Sequence, residues 1–435
     1  MTVASVSLWG TRIGAVSHDG PADPAAFQYD TGFRRSGIEI APLTMPLRTA
    51  PYVFPGLSYA TFRGLPGLLA DSLPDRFGSA LIDAWLASQG RTSSSFSSID
   101  RLCYIGRRGM GALEFAPALG PRMRRSRKLE VDALVELASE VLGTRQGFST
   151  SFADRTRTKA MQDILMVGTS AGGARAKAVI AWNPATSDVR SGQVAAPPGF
   201  EYWILKFDGV SGNRDKELDD PEGYGAIELA YSRMAAEAGI EMTKCRLLEE
   251  GGRRHFMTQR FDREADGSKR HMQSLGALAH FDFNQPGAHS YEQAFQVIRD
   301  LGLGQPAIEQ QFRRMVFNIV GRNQDDHVKN IAFLMSRAGT WSLAPAFDVT
   351  YAYRPSGQWT GRHQMTMNGK SDNFTVADFE DCGRVARLKS GSARAVLDEV
   401  IEIVSRWPAF AAAAGVDGAH QRGIEAALRL RFRAR

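Results

Sequence analysis

Apolar residues recur every three or four positions in several stretches, and each such stripe predicts a helix with one buried face. Leu81, Ile82, Trp85 and Leu86 form one after the turn-like Leu73-Pro74-Asp75-Arg76-Phe77-Gly78. Leu129 to Leu142, Tyr224 to Gly239, Pro306 to Ile319 and Ala393 to Val404 keep the same period, and the second of these stops at a glycine. Short apolar runs at Ala178 to Trp182, Tyr202 to Phe207 and Phe256 to Phe261 read instead as strands. Before residue 90 the pattern is choppier, with short strands broken by Pro and Gly clusters such as Pro21-Ala22-Asp23-Pro24. A Ser-rich patch, Thr92 to Ser98, leads to a predicted hairpin over Gly106 to Phe115. A strand-rich half followed by a mainly helical half is the outline of a two-lobed domain. The expectation is an α+β chain: a small mixed α/β domain over 1–120, then a bilobal domain over 121–435, strand-rich to 265 and helical beyond.

At about 150 residues per domain, 435 residues agree with two or three domains. Hydrophobic residues make up 43% and aromatics 9%, which excludes disordered, collagen-like and coiled-coil proteins. No run approaches the roughly 18 apolar residues of a membrane span, and Met1 to Gly20 lacks a secretory pattern. Cys103, Cys245 and Cys382 are too scattered for a disulfide framework or a Cys-x-x-Cys metal pair, so a cytoplasmic protein with no membrane partner is expected. The 53 Lys+Arg against 47 Asp+Glu leave a dilute +6, which favours an anionic partner without naming one. The dense run Arg122 to Lys128 reads as a solvated linker or as a surface for phosphates.

Three groups carry candidate chemistry. Gly168-Thr169-Ser170-Ala171-Gly172-Gly173-Ala174-Arg175-Ala176-Lys177 runs into a strand, and its small residues with a closing lysine suit a loop that turns backbone N–H groups toward phosphate. A plain turn before a strand is the competing reading. Lys206 ends an aromatic and aliphatic strand where burial demands a negative partner, such as a nucleotide phosphate together with the helix carboxylate Glu228. A snorkelling lysine and a glutamate on a wet helix face would look the same in sequence. Most informative is Asp325-Asp326-His327-Val328-Lys329-Asn330, followed by Ala344-Pro345-Ala346-Phe347-Asp348. An aspartate and an asparagine five apart, with a second aspartate after a short hairpin, is the arrangement kinases use for a base and two Mg²⁺ ligands. The spacing selects Asp325 over Asp326 as the base. His327 lacks companions at zinc-ligand spacing, and no Gly-x-Ser-x-Gly elbow is present.

These pieces, in this order, resemble the HipA family, the serine/threonine-protein kinase toxins of bacterial toxin–antitoxin pairs. Leu73 to Gly78 resembles the motif closing that family's N-terminal subdomain, Ser170 to Lys177 its phosphate loop, and Arg260-Phe261-Asp262-Arg263 its signature after the hinge strand. The resemblance implies a protein-kinase-like fold that binds ATP and Mg²⁺. It implies Ser170, Ala171, Gly172, Gly173, Lys177, Lys206, Glu228, His327 and Lys329 on the nucleotide, with Gln259 and Phe261 presenting backbone groups to adenine. Asp325 would be catalytic, and Asn330 and Asp348 would hold the metal. Ser170 would be a site of inhibitory autophosphorylation, a charge placed where the nucleotide phosphates belong. The implied partners are a HipB-like DNA-binding antitoxin, operator DNA reached through that antitoxin, and a translation-related protein substrate such as an aminoacyl-tRNA synthetase, with growth arrest or persistence as the outcome. A small-molecule kinase of the same fold and a catalytically weak corepressor are the rival expectations. Asp348 is followed by Val349 rather than Phe-Gly, so the activation-segment rules of ordinary kinases do not transfer. The stretch Gln273 to Gly287 fits the family least.

Overall fold

The computed structural model describes residues 2–20, 23–120, 127–143, 155–169, 175–210 and 222–434. The chain opens with β1 (Thr2–Leu8), β2 (Thr11–His18) and β3 (Ala26–Tyr29), continues through helices α1 (Thr31–Arg34), α2 (Tyr59–Phe62), α3 (Gly67–Ala70), α4 (Arg76–Ser88) and α5 (Ser98–Ile105), and adds β4 (Leu113–Ala116). The four strands form an antiparallel sheet in the order β3-β2-β1-β4. Period-2 alternation sends Ala4, Val6 and Leu8 of β1 inward against Leu68, Leu69 and Leu102.

No hairpin forms over Gly106 to Phe115. β4 pairs instead with β1, about a hundred residues earlier, and the Ser-rich patch caps α5 through a reciprocal Ser97–Asp100 box.

Next come α6 (Val131–Gly143), α7 (Arg155–Val167), β5 (Lys177–Trp182), β6 (Val189–Ser191), β7 (Glu201–Lys206), α8 (Tyr224–Glu237), β8 (Cys245–Glu250) and β9 (Arg253–Gln259). The strands make a five-stranded antiparallel sheet in the order β6-β5-β7-β9-β8. Its core joins Ile180, Leu205 and Met257 to Leu134 of α6 and Ile164 of α7. Phe77 and Leu81 of α4 belong to this core, while Ile82 and Leu86 of the same helix pack with Phe96 and Tyr104. Thus α4 is shared between the N-terminal sheet region and the second sheet.

The remainder comprises β10 (His271–Ser274), α9 (Leu275–Ala279), β11 (His289–Ser290), α10 (Tyr291–Asp300), α11 (Gln305–Val320), β12 (Ala332–Met335), β13 (Trp341–Leu343), β14 (Met365–Thr366), α12 (Val376–Val385), α13 (Ser392–Ser405), α14 (Trp407–Ala414) and α15 (Gly418–Ala427). Its core gathers Phe312, Phe317, Leu397 and Trp407. Helix α8 joins the lobes: Tyr231 packs 5.3 Å from Trp407, and its hydroxyl donates to the Gly321 carbonyl at 2.7 Å. The result is the expected α+β, two-lobed body with a small mixed N-terminal part. Among the described residues no helix is long and apolar enough to cross a membrane.

Candidate active site

Alternation along β7 buries Trp203 and Leu205 in the sheet core and turns Lys206 to the opposite face, toward α8. There its ammonium donates to Glu228 Oε1 at 2.5 Å and to Asp348 Oδ1. Glu228 is not on a wet helix face: its side chain is buried among the apolar residues of α8. Burial works against charge on Lys206, but Asp348 and Glu228 outweigh it and lift its pKa above the usual lysine range. Burial likewise opposes ionisation of Asp348, and the Lys206 ammonium overcomes it, holding that carboxyl at about 2. Asp348 also adopts a left-handed backbone, φ 52°, a conformation aspartate tolerates better than most residues.

The loop after α11 separates the two neighbouring aspartates. Asp326 is buried and saturated: it accepts from the Tyr291 hydroxyl at 2.6 Å and the Gln364 amide at 2.8 Å, and meets His363 Nδ1 at 2.8 Å. Burial alone would raise its pKa, yet His363, Tyr291 and Gln364 together hold it below the usual carboxylate range. His363 reaches on to Arg429 at 3.0 Å, so the C-terminal segment buttresses the loop from behind. Asp325 has the opposite character. Half of its side chain is accessible, and His327 Nε2 lies 3.7 Å from its Oδ1. Partial desolvation raises its pKa; His327 opposes the rise and Asp348 adds to it. Asn330 closes the loop by donating from Nδ2 to the Asp325 carbonyl at 2.8 Å, which leaves its amide oxygen for other use. Lys329 lies 5.0 Å over the Phe283 ring.

Two cavities adjoin these groups. One is lined by Arg175, Lys206, Asp208, Tyr224, Glu228 and Phe256, so two cations and two carboxylates face it. Asn330, Asp348, His327 and Asp326 share the wall of the other. Among the described residues no cluster of three or more His, Cys, Asp or Glu side chains is set to hold a metal. One carboxylate and one amide oxygen nevertheless fit Mg²⁺, which commonly takes few protein ligands and completes its shell with phosphate and water.

The remaining predicted residues are distributed as follows. Ser170, Ala171, Gly172 and Gly173 lie outside the described residues, as does most of the Arg122 to Lys128 run. Lys177 opens β5 directly opposite Lys206, and its ammonium lies 3.1 Å from Asp75 Oδ2, both side chains almost wholly buried. The Gln259 amide is engaged by the Lys244 carbonyl, and its carbonyl accepts from the Thr243 hydroxyl. Phe261 packs against Phe347, next to Asp348. The charged residues of the Arg260-Phe261-Asp262-Arg263 signature form a clamp: Asp262 receives Arg260, Arg263 and the Gly111 amide, binding the hinge to the N-terminal part. Gln273 to Gly287 proves to be a platform between that part and the Asp325 to Asn330 loop. Asp71 accepts from Ser274, His280 Nε2 receives the Gly67 amide at 3.0 Å, and Phe283 contacts His327. His363 went unmarked in the sequence, and Asp75 and Arg175 stood inside quoted motifs without a role of their own; the signal for Asp75 was an N-cap aspartate between Pro74 and an apolar stripe.

A family model described as the HipA N-terminal domain matches residues 4–116, and one described as the HipA-like C-terminal domain matches residues 169–407, more than half of the chain. The chain belongs to the HipA family. The C-terminal match takes in Lys206, Glu228, Asp325, Asn330 and Asp348, whereas Asp75 lies within the N-terminal one. Among solved structures, the Shewanella oneidensis MR-1 toxin–antitoxin complex of HipA, HipB and operator DNA contains a chain similar to this one at TM-score 0.69 and 17% identity, covering 98% of this chain and 96% of that one. At that identity the likeness speaks for the fold, which is HipA-like across the whole length. A Helicobacter pylori proinflammatory kinase, CtkA, aligns at TM-score 0.35 and 11% identity over 52% of this chain and 84% of its own, too partial a likeness to build on. No curated protein matches the chain.

Proposed function

We propose that the chain is the kinase toxin of a toxin–antitoxin pair, an ATP- and Mg²⁺-dependent enzyme that phosphorylates serine or threonine of a protein. One observation carries the reading: a single lysine, Lys206, bonds both a helix carboxylate, Glu228, and a loop carboxylate, Asp348, beside an accessible Asp325. That is the constellation phosphoryl transfer requires, where positioning and charge neutralisation do most of the work. Bound Mg-ATP supplies a polarised γ-phosphoryl group. Lys206 offsets phosphate charge, Asn330 and Asp348 give hard oxygen ligands, and Asp325 orients the incoming hydroxyl and receives its proton. Because Asp326 is committed to Tyr291, His363 and Gln364, the base role falls to Asp325.

In this reading residues 1–120 form an accessory domain, residues 121–435 the kinase, and Ser170 the inhibitory autophosphorylation site. The Shewanella protein of the same fold stands in a complex with HipB and operator DNA. A DNA-binding antitoxin is therefore the partner we assign, with a translation-related protein as substrate, both in the cytoplasm. The test is incubation of the full chain with γ-labelled ATP, Mg²⁺ and a lysate, beside Asp325→Ala, with phosphosite mass spectrometry of the chain expressed alone. Labelled protein bands and a phosphate on Ser170, both absent in the variant, are expected. Labelling and growth inhibition that survive Asp325→Ala would overturn the proposal.

A further inference from the structure

The aspartate of Leu73 to Gly78 has no part in the chemistry above, although its side chain is almost wholly buried. Capping α4 needs only one carboxylate oxygen, and Asp75 Oδ1 serves it by accepting from the Gly78 amide at 2.6 Å. The second oxygen reaches across to Lys177, 102 residues later. Lys177 and Lys206 are direct cross-strand partners, so their side chains emerge on the same face of the sheet. Like charges so placed repel unless each has a counter-charge. Lys206 has Glu228 and Asp348, and Asp75 answers for Lys177. Burial pushes the Asp75 carboxyl above the usual carboxylate range, and Lys177, the Gly78 amide and Lys329 oppose that rise. The carboxylate thus ties α4 to the first residue of β5, the strand that follows the glycine-rich run.

We infer that Asp75 is a positioning residue for the nucleotide phosphates, contributed by the N-terminal part of the chain: its carboxylate holds the Lys177 ammonium in place on the face that Lys177 shares with Lys206. The inference rests on the kinase reading and extends it to a residue outside the C-terminal family match. Without the Asp75 carboxylate the buried Lys177 ammonium loses the contact that fixes its position, and its alignment toward the phosphates is lost with it.

Asp75→Asn separates the two roles, because asparagine caps a helix about as well as aspartate but carries no charge. The KM for Mg-ATP should rise about tenfold or more, the scale of one charge-assisted interaction, with kcat changed far less. Adenosine, which has no phosphates, should compete as well with the variant as with the wild type. Lys177→Met should reproduce the KM defect, and combining it with Asp75→Asn should add nothing. If Asp75→Asn alone fails to fold, the double variant carries the measurement, since its KM must equal that of Lys177→Met. An unchanged KM, an equal loss of adenosine binding, or additive defects would leave Asp75 a helix cap only. A wild-type chain without saturable Mg-ATP dependence would overturn the kinase reading and this inference with it; a saturable wild type beside an unaltered variant removes the inference alone.

Discussion

Replacing Asp262 by asparagine tests the clamp between hinge and N-terminal part. Asp262 is fully buried and receives Arg260 Nε at 2.8 Å, Arg260 Nη2 at 2.7 Å, Arg263 Nη1 at 2.7 Å and the Gly111 amide at 2.7 Å. Arg263 reaches on to the Gly109 carbonyl at 3.1 Å. Burial and the neighbouring Arg260 already push Arg263 down to about 10 with the carboxylate in place. Without the carboxylate two guanidinium groups are stranded in a dry junction, and losses of about 3–5 kcal/mol are typical when one partner of a buried pair is removed. The urea midpoint at neutral pH should fall accordingly, with little change in slope. Burial opposes ionisation of Asp262, but Arg260 and Arg263 overcome it and hold its pKa far below that of an unfolded aspartate. Its stabilisation is therefore complete above the unfolded value of about 3.9 and is lost as pH falls below it. In that acid range unfolding of the wild type should take up one proton more than unfolding of the variant. A midpoint unmoved at neutral pH, or identical acid limbs, would refute the reasoning.

Two further outcomes follow from the contacts. A Cβ on Gly67 would lie 2.3 Å from the Ala277 carbonyl oxygen, so Gly67→Ala must displace α9 and should cost about 1–3 kcal/mol in denaturant titration, the range for overpacking. Asp326→Asn removes the charge that Tyr291 and His363 satisfy; it should lower kcat through the misplaced loop and stability by about 1.5–3 kcal/mol, read by steady-state kinetics and thermal melts.

What the sequence revealed was what local spacing encodes. The stripes of α8, α11 and α13 and the apolar runs of β5 and β7 stand close to their predicted bounds, because burial on one face dictates their period. The catalytic-loop spacing was equally local, and its apolar flanks became α11 and β12. Pairings between distant segments were not legible. β4 read as half of a hairpin because its partner β1 lies so far upstream. Asp75 read as part of a closing motif, since nothing near it in sequence names Lys177. Helix α5 hid in a Ser-rich run although Ser97-x-x-Asp100 is a capping signal. Nor did the hinge signature reveal that its charges bind the N-terminal part through Gly109 and Gly111.

The sharing of α4 between two cores has a consequence for the chain during synthesis. Phe77 and Leu81 find their partners among Leu134, Ile164 and Ile180, which leave the ribosome about 50 to 100 residues later. At roughly 5–20 residues per second, that face is fully covered only after roughly 3–20 s. The nascent chain therefore presents a sticky apolar stripe to chaperones before the five-stranded sheet exists to cover it, and its cleft cannot assemble before translation of the two lobes is well advanced.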